Sequence, residues 1–291
     1  MKKPIFLSFS TLFLNYTMPL ILLLLLFYST SILAQDRDKN IRSFKLSSTV
    51  LKEDRFFDIY VPSSSKSKFE VIYVLDGQAQ FINVVNALKQ LDQNEKIVVG
   101  IGNIWLRDRD YTPTHVNSSP FLDSKAAAVS GGGKSFISHL EKELIPYIKS
   151  HYPVNTSAIL IGHSLGGLIA MDILLNHSYL FQKYVIIDPS MWWDDCNLLN
   201  QSKEILKRNS YPTFLFLAIA NTRNKDKDNI EAIRNDTTQN TALIRPSLLL
   251  LDYLKASSND KIKMDWKYYK GYDHMTVFQA AVNDGLIFLL K

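Results

Sequence analysis

The residues best suited to chemistry stand at positions 162–166, where the chain reads GHSLG and a single serine lies between two glycines. An apolar run, 158–161, precedes this segment, and a second apolar run, 168–175, follows it. A serine on a tight turn between a strand and a helix is presented as a nucleophile, because the glycines let the two backbones approach closely. The helix also directs its free N–H groups toward the turn. The sequence therefore predicts Ser164 as a nucleophile.

A serine hydroxyl needs a base to take its proton, and the chain contains six histidines. On a turn of this type the chain order is serine, acid, histidine. Five histidines precede the serine, adjoin it or lie along the helix that leaves it: His115, His139, His151, His163 and His177. The sixth, His274, lies in a polar loop between the strand-like run 263–269 and an apolar C-terminal helix. His274 is therefore the predicted base.

The acid that would orient the histidine has several candidates. A strand-like run, 214–220, leads into a charged loop, and Asp228 in that loop is the favoured acid. Asp226 is a second candidate in the same loop, and Asp188, after the run 185–187, is an alternative from the preceding strand. A carboxylate at any of these positions could fix the tautomer of the imidazole and stabilise its cation. A Ser-His pair without a firmly held acid is also left open.

A tetrahedral intermediate needs hydrogen-bond donors for its oxyanion. One predicted donor is the backbone N–H of Leu165, the residue after the nucleophile. The other is expected from the loop after an early central strand. The run 69–75 followed by Asp76, Gly77 and Gln78 fits that place, so the N–H of Gln78 is the second candidate.

Strand-like runs recur along the chain between helix-like stretches, at 56–61, 69–75, 97–101, 158–161, 184–187, 213–220 and 262–269. This alternation predicts an α/β fold with a mostly parallel central sheet and helices on both faces. One helix is marked by Phe136, Leu140, Leu144 and Ile148, which share a face, and Pro146 is expected to kink it near its end. Residues 35–291 are ample for a single domain.

Two loops after predicted strands carry side chains suited to binding a substrate: Arg107, Arg109, Tyr111, Trp192 and Trp193. In an open sheet such loops surround the ligand. Arg109, Tyr111 and Trp193 are the candidates for an aromatic or anionic ester. Arg109 could instead form a structural ion pair with Asp108 or Asp110, and Trp192 could belong to the core.

The N-terminus has the pattern of a secretory signal. Lys2 and Lys3 precede the apolar run 21–27, and the segment SILA at 31–34 follows it. Residues 1–34 are therefore predicted to be a signal peptide, with a periplasmic or secreted domain after it. An uncleaved membrane anchor carrying an exported domain is the alternative, and it would be the only membrane contact expected.

Composition excludes several other classes. The formal net charge is only +5, and the sequence contains no concentrated basic stripe, so nucleic-acid binding is not expected. The single cysteine, Cys196, cannot form an internal disulfide. The segment SGGGKS at 130–135 approaches a phosphate-binding loop, but Ala128 stands where the first glycine belongs and no strand-like run precedes it. No metal and no cofactor are expected.

An ordered set of segments resembles the putative esterase family of α/β-hydrolases, over about residues 45–290. The segments are LDG at 75–77, VVGIGN at 98–103, RDYTPT at 109–114, GGG at 131–133, GHSLGG at 162–167 and PSMWW at 189–193. The resemblance implies an α/β-hydrolase fold, with Ser164 as nucleophile, His274 as base, and the N–H groups of Gln78 and Leu165 as the oxyanion hole. It is greatest to the periplasmic siderophore esterases, some members of which are thought to use a Ser-His dyad. Met275 and Thr276 replace a small pair that usually follows the histidine in that branch.

The resemblance implies a serine carboxylic-ester hydrolase that acts through an acyl-enzyme on a small-molecule ester, with a catecholate siderophore ester as the most concrete substrate. Two alternatives stay open. An acyltransferase would use the same residues but pass the acyl group to an alcohol. A non-catalytic binding protein would keep the hydrolase fold without the reaction.

Overall fold

The central element of the fold is an eight-stranded sheet with strand order β1-β2-β4-β3-β5-β6-β7-β8. A computed structural model describes residues 38–103, 105–208, 211–222, 229–257 and 260–290. The chain divides into two units, 1–41 and 42–291, and the helices given below and the candidate site lie in the second. The predicted signal, residues 1–34, lies outside the described residues.

The strands are β1 (Ile41–Ser48), β2 (Glu53–Tyr60), β3 (Phe69–Leu75), β4 (Lys96–Ile101), β5 (Val154–His163), β6 (Lys183–Ile187), β7 (Thr213–Ala220) and β8 (Ile262–Tyr269). β2 pairs antiparallel with β4, and all neighbours from β4 to β8 are parallel. Every residue of β3 is buried, as expected for a central strand covered on both faces. The predicted mostly parallel sheet is confirmed. The sequence did not indicate β1, whose residues are mostly polar and only partly buried.

The helices are α1 (Gly77–Gln90), α2 (Arg107–Asp110), α3 (Ser124–Val129), α4 (Gly133–His139), α5 (Ile145–His151), α6 (Leu165–Asn176), α7 (Trp193–Leu206), α8 (Ile230–Asn235), α9 (Arg245–Ala256) and α10 (Phe278–Leu289). α10 packs against α1 and against β6 and β7, whereas α6 packs against β5, β6 and α7. Successive side chains of a strand point to opposite faces of the sheet. Val185 of β6 accordingly meets Gly285 of α10, while its neighbours Tyr184 and Ile186 join the cluster that includes α6.

The expected helix around Phe136 is interrupted by a π-helical turn, Leu140–Leu144, which joins α4 to α5. Pro146 stands in the first turn of α5. Proline has no N–H to donate to the carbonyl four residues earlier, so the regular ladder cannot run through this point. The irregularity therefore precedes the proline. The predicted face is confirmed, since Phe136, Leu140, Leu144 and Ile148 are all fully buried.

Across the described ranges, no helix combines the length and the apolar character needed to cross a bilayer.

Candidate active site

Ser164 lies at the turn between β5 and α6, directly before the helix begins. Its φ of 62° falls in a region that residues with a side chain rarely adopt. Its N–H donates to the carbonyl of Ile187 over 3.1 Å, and its own carbonyl accepts from the N–H groups of Leu168 and Ser190. Hydrogen bonds of both the N–H and the carbonyl of Ser164 thus hold its strained backbone in place.

The glycines around the serine permit this turn. A Cβ at position 162 would lie 2.2 Å from the carbonyl oxygen of Gly166, so any larger residue would push α6 away from β5. A Cβ at position 166 would lie 3.3 Å from a carboxylate oxygen of Asp76, which shows how closely the turn before α1 approaches the serine turn.

The serine hydroxyl is joined to His274. The Nε2 of His274 lies 2.9 Å from the Oγ of Ser164, and the Nδ1 lies 2.6 Å from the Oδ2 of Asp188. The three residues come from different loops at the carboxyl edge of the parallel sheet, after β5, β6 and β8. This is the geometry in which a histidine can take the proton of a serine while a carboxylate holds the other ring nitrogen.

Asp188 is itself held by its surroundings. Its Oδ1 accepts from the N–H of Ala220 over 3.1 Å, and its Oδ2 accepts from the hydroxyl of Thr222 over 2.7 Å. Asp188 was an alternative for the acid in the sequence. The favoured Asp228 and the second candidate Asp226 lie outside the described residues. Among the described residues, Asp188 is the carboxylate that meets His274.

A second histidine packs beside the first. The ring of His163 lies 4.5 Å from that of His274, measured between centroids. Burial, with a smaller effect of the neighbouring His274, lowers the pKa of His163 to about 3. His163 is therefore neutral near pH 7 and adds no positive charge next to His274.

The two predicted oxyanion donors each stand in the first turn of a helix. Gln78 is the second residue of α1, and Leu165 is the first residue of α6. Backbone N–H groups in a first helical turn have no partner inside their own helix, so both remain available to a ligand. Asp76, before α1, adopts a left-handed conformation with φ 53°.

Arg107 connects the two turns. Its Nε donates to both carboxylate oxygens of Asp76, at 3.0 and 3.2 Å, and its Nη2 donates to the carbonyl of His163 over 3.2 Å. Burial raises the pKa of Asp76, and Arg107 only partly opposes this effect. The sequence placed Arg107 near the substrate but gave no signal for its bridging role.

Tyr111, which was expected to contact the substrate, is buried inside the fold. It is 0% exposed, and its hydroxyl accepts a hydrogen bond of 3.0 Å from the N–H of Asp76. A buried side chain cannot line a substrate pocket. Tyr111 instead supports the turn that leads to Gln78.

Arg109 and Trp193 are also engaged inside the fold. The guanidinium of Arg109 forms two bonds to Glu53, at 2.6 and 3.1 Å, and one of 2.7 Å to Asp110, which is the structural pairing that the sequence left as an alternative. Trp193 is 2% exposed and donates through Nε1 to Thr114. The guanidinium of Arg109 is therefore already paired, and the ring of Trp193 is buried. Trp192, in contrast, is only partly buried.

Sequence reasoning missed one neighbour of the nucleophile. The hydroxyl of Ser190 lies 3.5 Å from that of Ser164, and the side chain is almost fully buried. Its place in the segment PSMWW was visible, but nothing local in that segment indicated a contact with the nucleophile. Elsewhere in the described ranges, no group of three histidine, cysteine or acidic side chains is arranged to hold a metal ion.

Comparison with known proteins gives a consistent result. Residues 48–289 match the model of the family described as Putative esterase. The ferri-bacillibactin esterase BesA of Bacillus subtilis is 26% identical over 261 residues, covering 82% of this chain and 86% of its own length. The apo-salmochelin esterase of Escherichia coli O6:H1 is 30% identical over 136 residues, covering 43% of this chain and 42% of its own. The crystal structure of an IroE-like serine hydrolase from Shewanella oneidensis superposes with a TM-score of 0.76 and 31% identity, covering 86% of this chain and 80% of the other. The chain thus belongs to the Putative esterase family of α/β-hydrolases, and it is an ester hydrolase.

Proposed function

We propose that the protein cleaves a small-molecule ester through an acyl-enzyme formed on Ser164. The observation that carries this proposal is the continuous contact from Ser164 through His274 to Asp188, at 2.9 and 2.6 Å. Because the histidine is positioned to accept the serine proton, the hydroxyl becomes nucleophilic when a carbonyl approaches. The Asp188 carboxylate then stabilises the imidazolium that forms.

In the first step the Oγ of Ser164 bonds to the ester carbonyl carbon, and its proton passes to Nε2 of His274. The carbonyl oxygen becomes an oxyanion that the N–H groups of Gln78 and Leu165 bind. Collapse of this intermediate breaks the ester C–O bond, and His274 returns the proton to the departing alcohol. Water then repeats the sequence on the acyl-enzyme, releases the acid and restores Ser164.

The substrate class we propose is a siderophore ester. Its support is the naming of relatives as esterases of ferri-bacillibactin and apo-salmochelin. One of those names specifies an iron-loaded siderophore and the other an iron-free one. Hydrolysis of bacillibactin and salmochelin, each with and without iron, should therefore be compared by liquid chromatography of the products.

A combined labelling and turnover experiment tests the mechanism. Wild type, Ser164→Ala and His274→Ala are treated with a fluorophosphonate probe and, separately, with p-nitrophenyl butyrate. We expect the wild type to be labelled and active. Ser164→Ala should lose labelling, and both variants should lose turnover by about 10³-fold or more. Full activity of Ser164→Ala would overturn the proposal. Adding an alcohol acceptor to the wild type and analysing the products separates hydrolysis from acyl transfer.

We also infer that residues 1–34 direct the protein out of the cytoplasm. The support is the basic start, the apolar run 21–27 and the segment SILA that ends at Ala34. Fractionation of cells that express the full chain, with N-terminal sequencing of the exported form, tests this. A new N-terminus near residue 35 is expected. An intact N-terminus in the membrane fraction would favour the anchor instead.

A further inference from the structure

A groove of about 500 Å³ lies beside the turn that carries Gln78. Its lining includes Phe56, Gln78, Gly102, Trp105 and Leu106. A cavity of about 150 Å³ is enough to hold one benzene molecule, so this groove has room for a ring and its attached atoms. None of the catalytic steps above uses it.

Two aromatic rings give the groove its character. Trp105 is 91% exposed and Phe56 is 64% exposed, although both are large apolar side chains. Phe56 stands on the outward face of β2, because its neighbours Arg55 and Phe57 are both buried. Within the described part of the chain, neither ring stacks on another aromatic ring or lies against a cation. Both rings are therefore free to pack against a ligand.

Gly102, another lining residue, lies close to the backbone of β2. It lies beside Phe56, and its N–H donates to the carbonyl of Phe56 over 3.1 Å. A Cβ at position 102 would lie 2.9 Å from that same carbonyl oxygen. A side chain at this position would therefore press on the backbone of β2 at Phe56, the residue that places its ring in the groove.

The groove shares one residue with the proposed reacting centre. That residue is Gln78, which lines the groove and whose N–H is the proposed oxyanion donor. The side-chain oxygen of Gln78 accepts from the N–H of Asn103 over 2.9 Å, which fixes it at the end of the groove. Leu106, another lining residue, precedes Arg107, which bonds to the carbonyl of His163 next to the nucleophile.

The charges around the groove favour an uncharged ligand. Asp54 and Asp58 are part of its lining, and both carry acidic side chains. The one arginine of the lining, Arg55, is 2% exposed and pairs with Asp110 over 2.7 Å and with Glu53 over 2.9 Å. Asp54 is paired with Lys45 over 2.8 Å, and Asp58 accepts a hydrogen bond from the hydroxyl of Ser43. A ligand bearing a carboxylate would therefore find two carboxylates and no available guanidinium among the described lining residues.

We propose that this groove binds an uncharged aromatic ring carried by the acyl or the alcohol part of the ester. Trp105 and Phe56 would make the protein prefer esters with such a ring over short aliphatic esters. The inference rests on the proposed function, because it places the ring relative to the carbonyl that Ser164 attacks. An aromatic ring bound there would pack against the exposed rings of Trp105 and Phe56, which water otherwise covers.

The test uses four ethyl or acetate esters, with hydrolysis followed by proton release in a pH-stat. Ethyl benzoate carries the ring on the acyl side, and benzyl acetate carries it on the alcohol side. Ethyl acetate has no ring, and the ethyl monoester of terephthalic acid adds a carboxylate to the ring. The full chain is compared with Trp105→Ala, Trp105→Phe, Phe56→Ala and, as an exposed aromatic outside the groove, Tyr211→Ala.

We expect Trp105→Ala and Phe56→Ala to lower kcat/KM for one of the two neutral aryl esters by about tenfold, while ethyl acetate is unaffected. Trp105→Phe and Tyr211→Ala should behave like the wild type. Whichever aryl ester responds shows which side of the ester enters the groove, and the charged ester should be the poorer substrate.

Equal kcat/KM for all neutral esters, unchanged by Trp105→Ala, would overturn the inference but leave the esterase proposal intact. The inference also fails if Trp105→Ala changes only the oligomeric state in size-exclusion chromatography, since the groove would then be a contact between copies of the chain. A wild-type chain inert toward all four esters and unlabelled by fluorophosphonate would contradict the proposed function itself.

Discussion

At the scale of single residues, the position of Asp188 decides which carboxylate can serve the histidine. It follows β6, the strand next to the one that carries the nucleophile, and it adopts a φ of 40°. Bonds from Ala220 and Thr222 leave its Oδ2 directed at His274. A carboxylate fixed by three partners needs little reorganisation when the imidazole becomes charged.

The first prediction concerns this carboxylate. Asp188→Asn should lower kcat by about 10³-fold, because an amide can donate to Nδ1 and so favour the wrong tautomer of the histidine. Asp228→Asn, at the position that the sequence favoured, should leave kcat within about twofold. Steady-state kinetics on p-nitrophenyl butyrate measures both. The reverse order of effects would assign the acid to Asp228.

The second prediction concerns the buried hydroxyl of Tyr111. Tyr111→Phe removes the acceptor for the N–H of Asp76, and a buried donor without a partner costs about 1–3 kcal/mol. The turn that carries Gln78 should loosen, so kcat should fall about tenfold while KM changes little, since the substrate does not touch Tyr111.

Tyr184→Phe is the matched control for this change. Tyr184 is equally buried, and within the described residues its hydroxyl has no hydrogen-bond partner. Its removal should alter neither kcat nor the free energy of unfolding. If Tyr111→Phe behaved like Tyr184→Phe, the supporting role of Tyr111 would be excluded.

At the scale of elements, a single glutamate joins the turn after β1 to the π-helical turn. The carboxylate of Glu143 accepts from the N–H groups of Thr49 and Val50, at 2.8 and 3.0 Å, and lies 2.6 Å from Nδ1 of His139. Burial disfavours its ionisation, but the bonds from Ser48, Thr49 and His139 outweigh burial and lower the pKa to about 2. The ionised form is thus favoured in the folded state.

The third prediction follows from that lowered pKa. The stabilisation by Glu143 is fully present above its unfolded pKa of about 4.3 and is lost as the pH falls toward about 2. Glu143→Gln should therefore lower the free energy of unfolding by about 1 kcal/mol at pH 7, with the difference shrinking below pH 4. Urea unfolding at several pH values measures this. The exposed Glu204→Gln is the control, and a pH-independent difference for Glu143→Gln would contradict the account.

At the scale of the whole molecule, a buried ion-pair cluster and the reacting residues lie at opposite ends of the parallel strands. Glu70, near the start of β3, is almost buried and lies 2.8 Å from Lys183 and 3.5 Å from Lys96. Burial opposes its ionisation, but bonds from Lys183 and Ser157 lower its pKa below the usual value. The reacting residues follow the carboxyl ends of β5, β6 and β8.

The fourth prediction is that mutations at the two ends of the strands affect different properties, stability at one end and activity at the other. Glu70→Gln should lower the free energy of unfolding by about 2 kcal/mol, because it leaves two lysines without their carboxylate. Its kcat/KM should stay within about twofold of the wild type at 25 °C. Asp188→Asn should show the larger loss of activity and a smaller loss of stability. Thermal unfolding and steady-state kinetics on both variants measure these effects. If Glu70→Gln lost activity as well as stability, the prediction would be wrong.

Local patterns in the sequence were sufficient for the strands β2 to β8 and for the serine turn. Alternating runs of apolar residues, glycine spacing and the order of serine and histidine depend on short stretches of chain. The edge strand β1 lacks such a pattern, and the π-helical turn arises from how Pro146 interrupts a helix that the apolar residues alone would continue.

The sequence by itself determined which serine and which histidine face each other, because a nucleophile turn and the last histidine loop of a parallel sheet have fixed places. Only the tertiary structure decided the partner of His274, the ion pairs of Arg109 and the burial of Tyr111 and Trp193. Asp188 is 86 residues away from His274 in the chain, and the two meet because loops after neighbouring parallel strands gather at one edge. A charged or aromatic residue in such a loop has the same local sequence whether it turns toward a ligand or into the core, and the packing around it makes the choice.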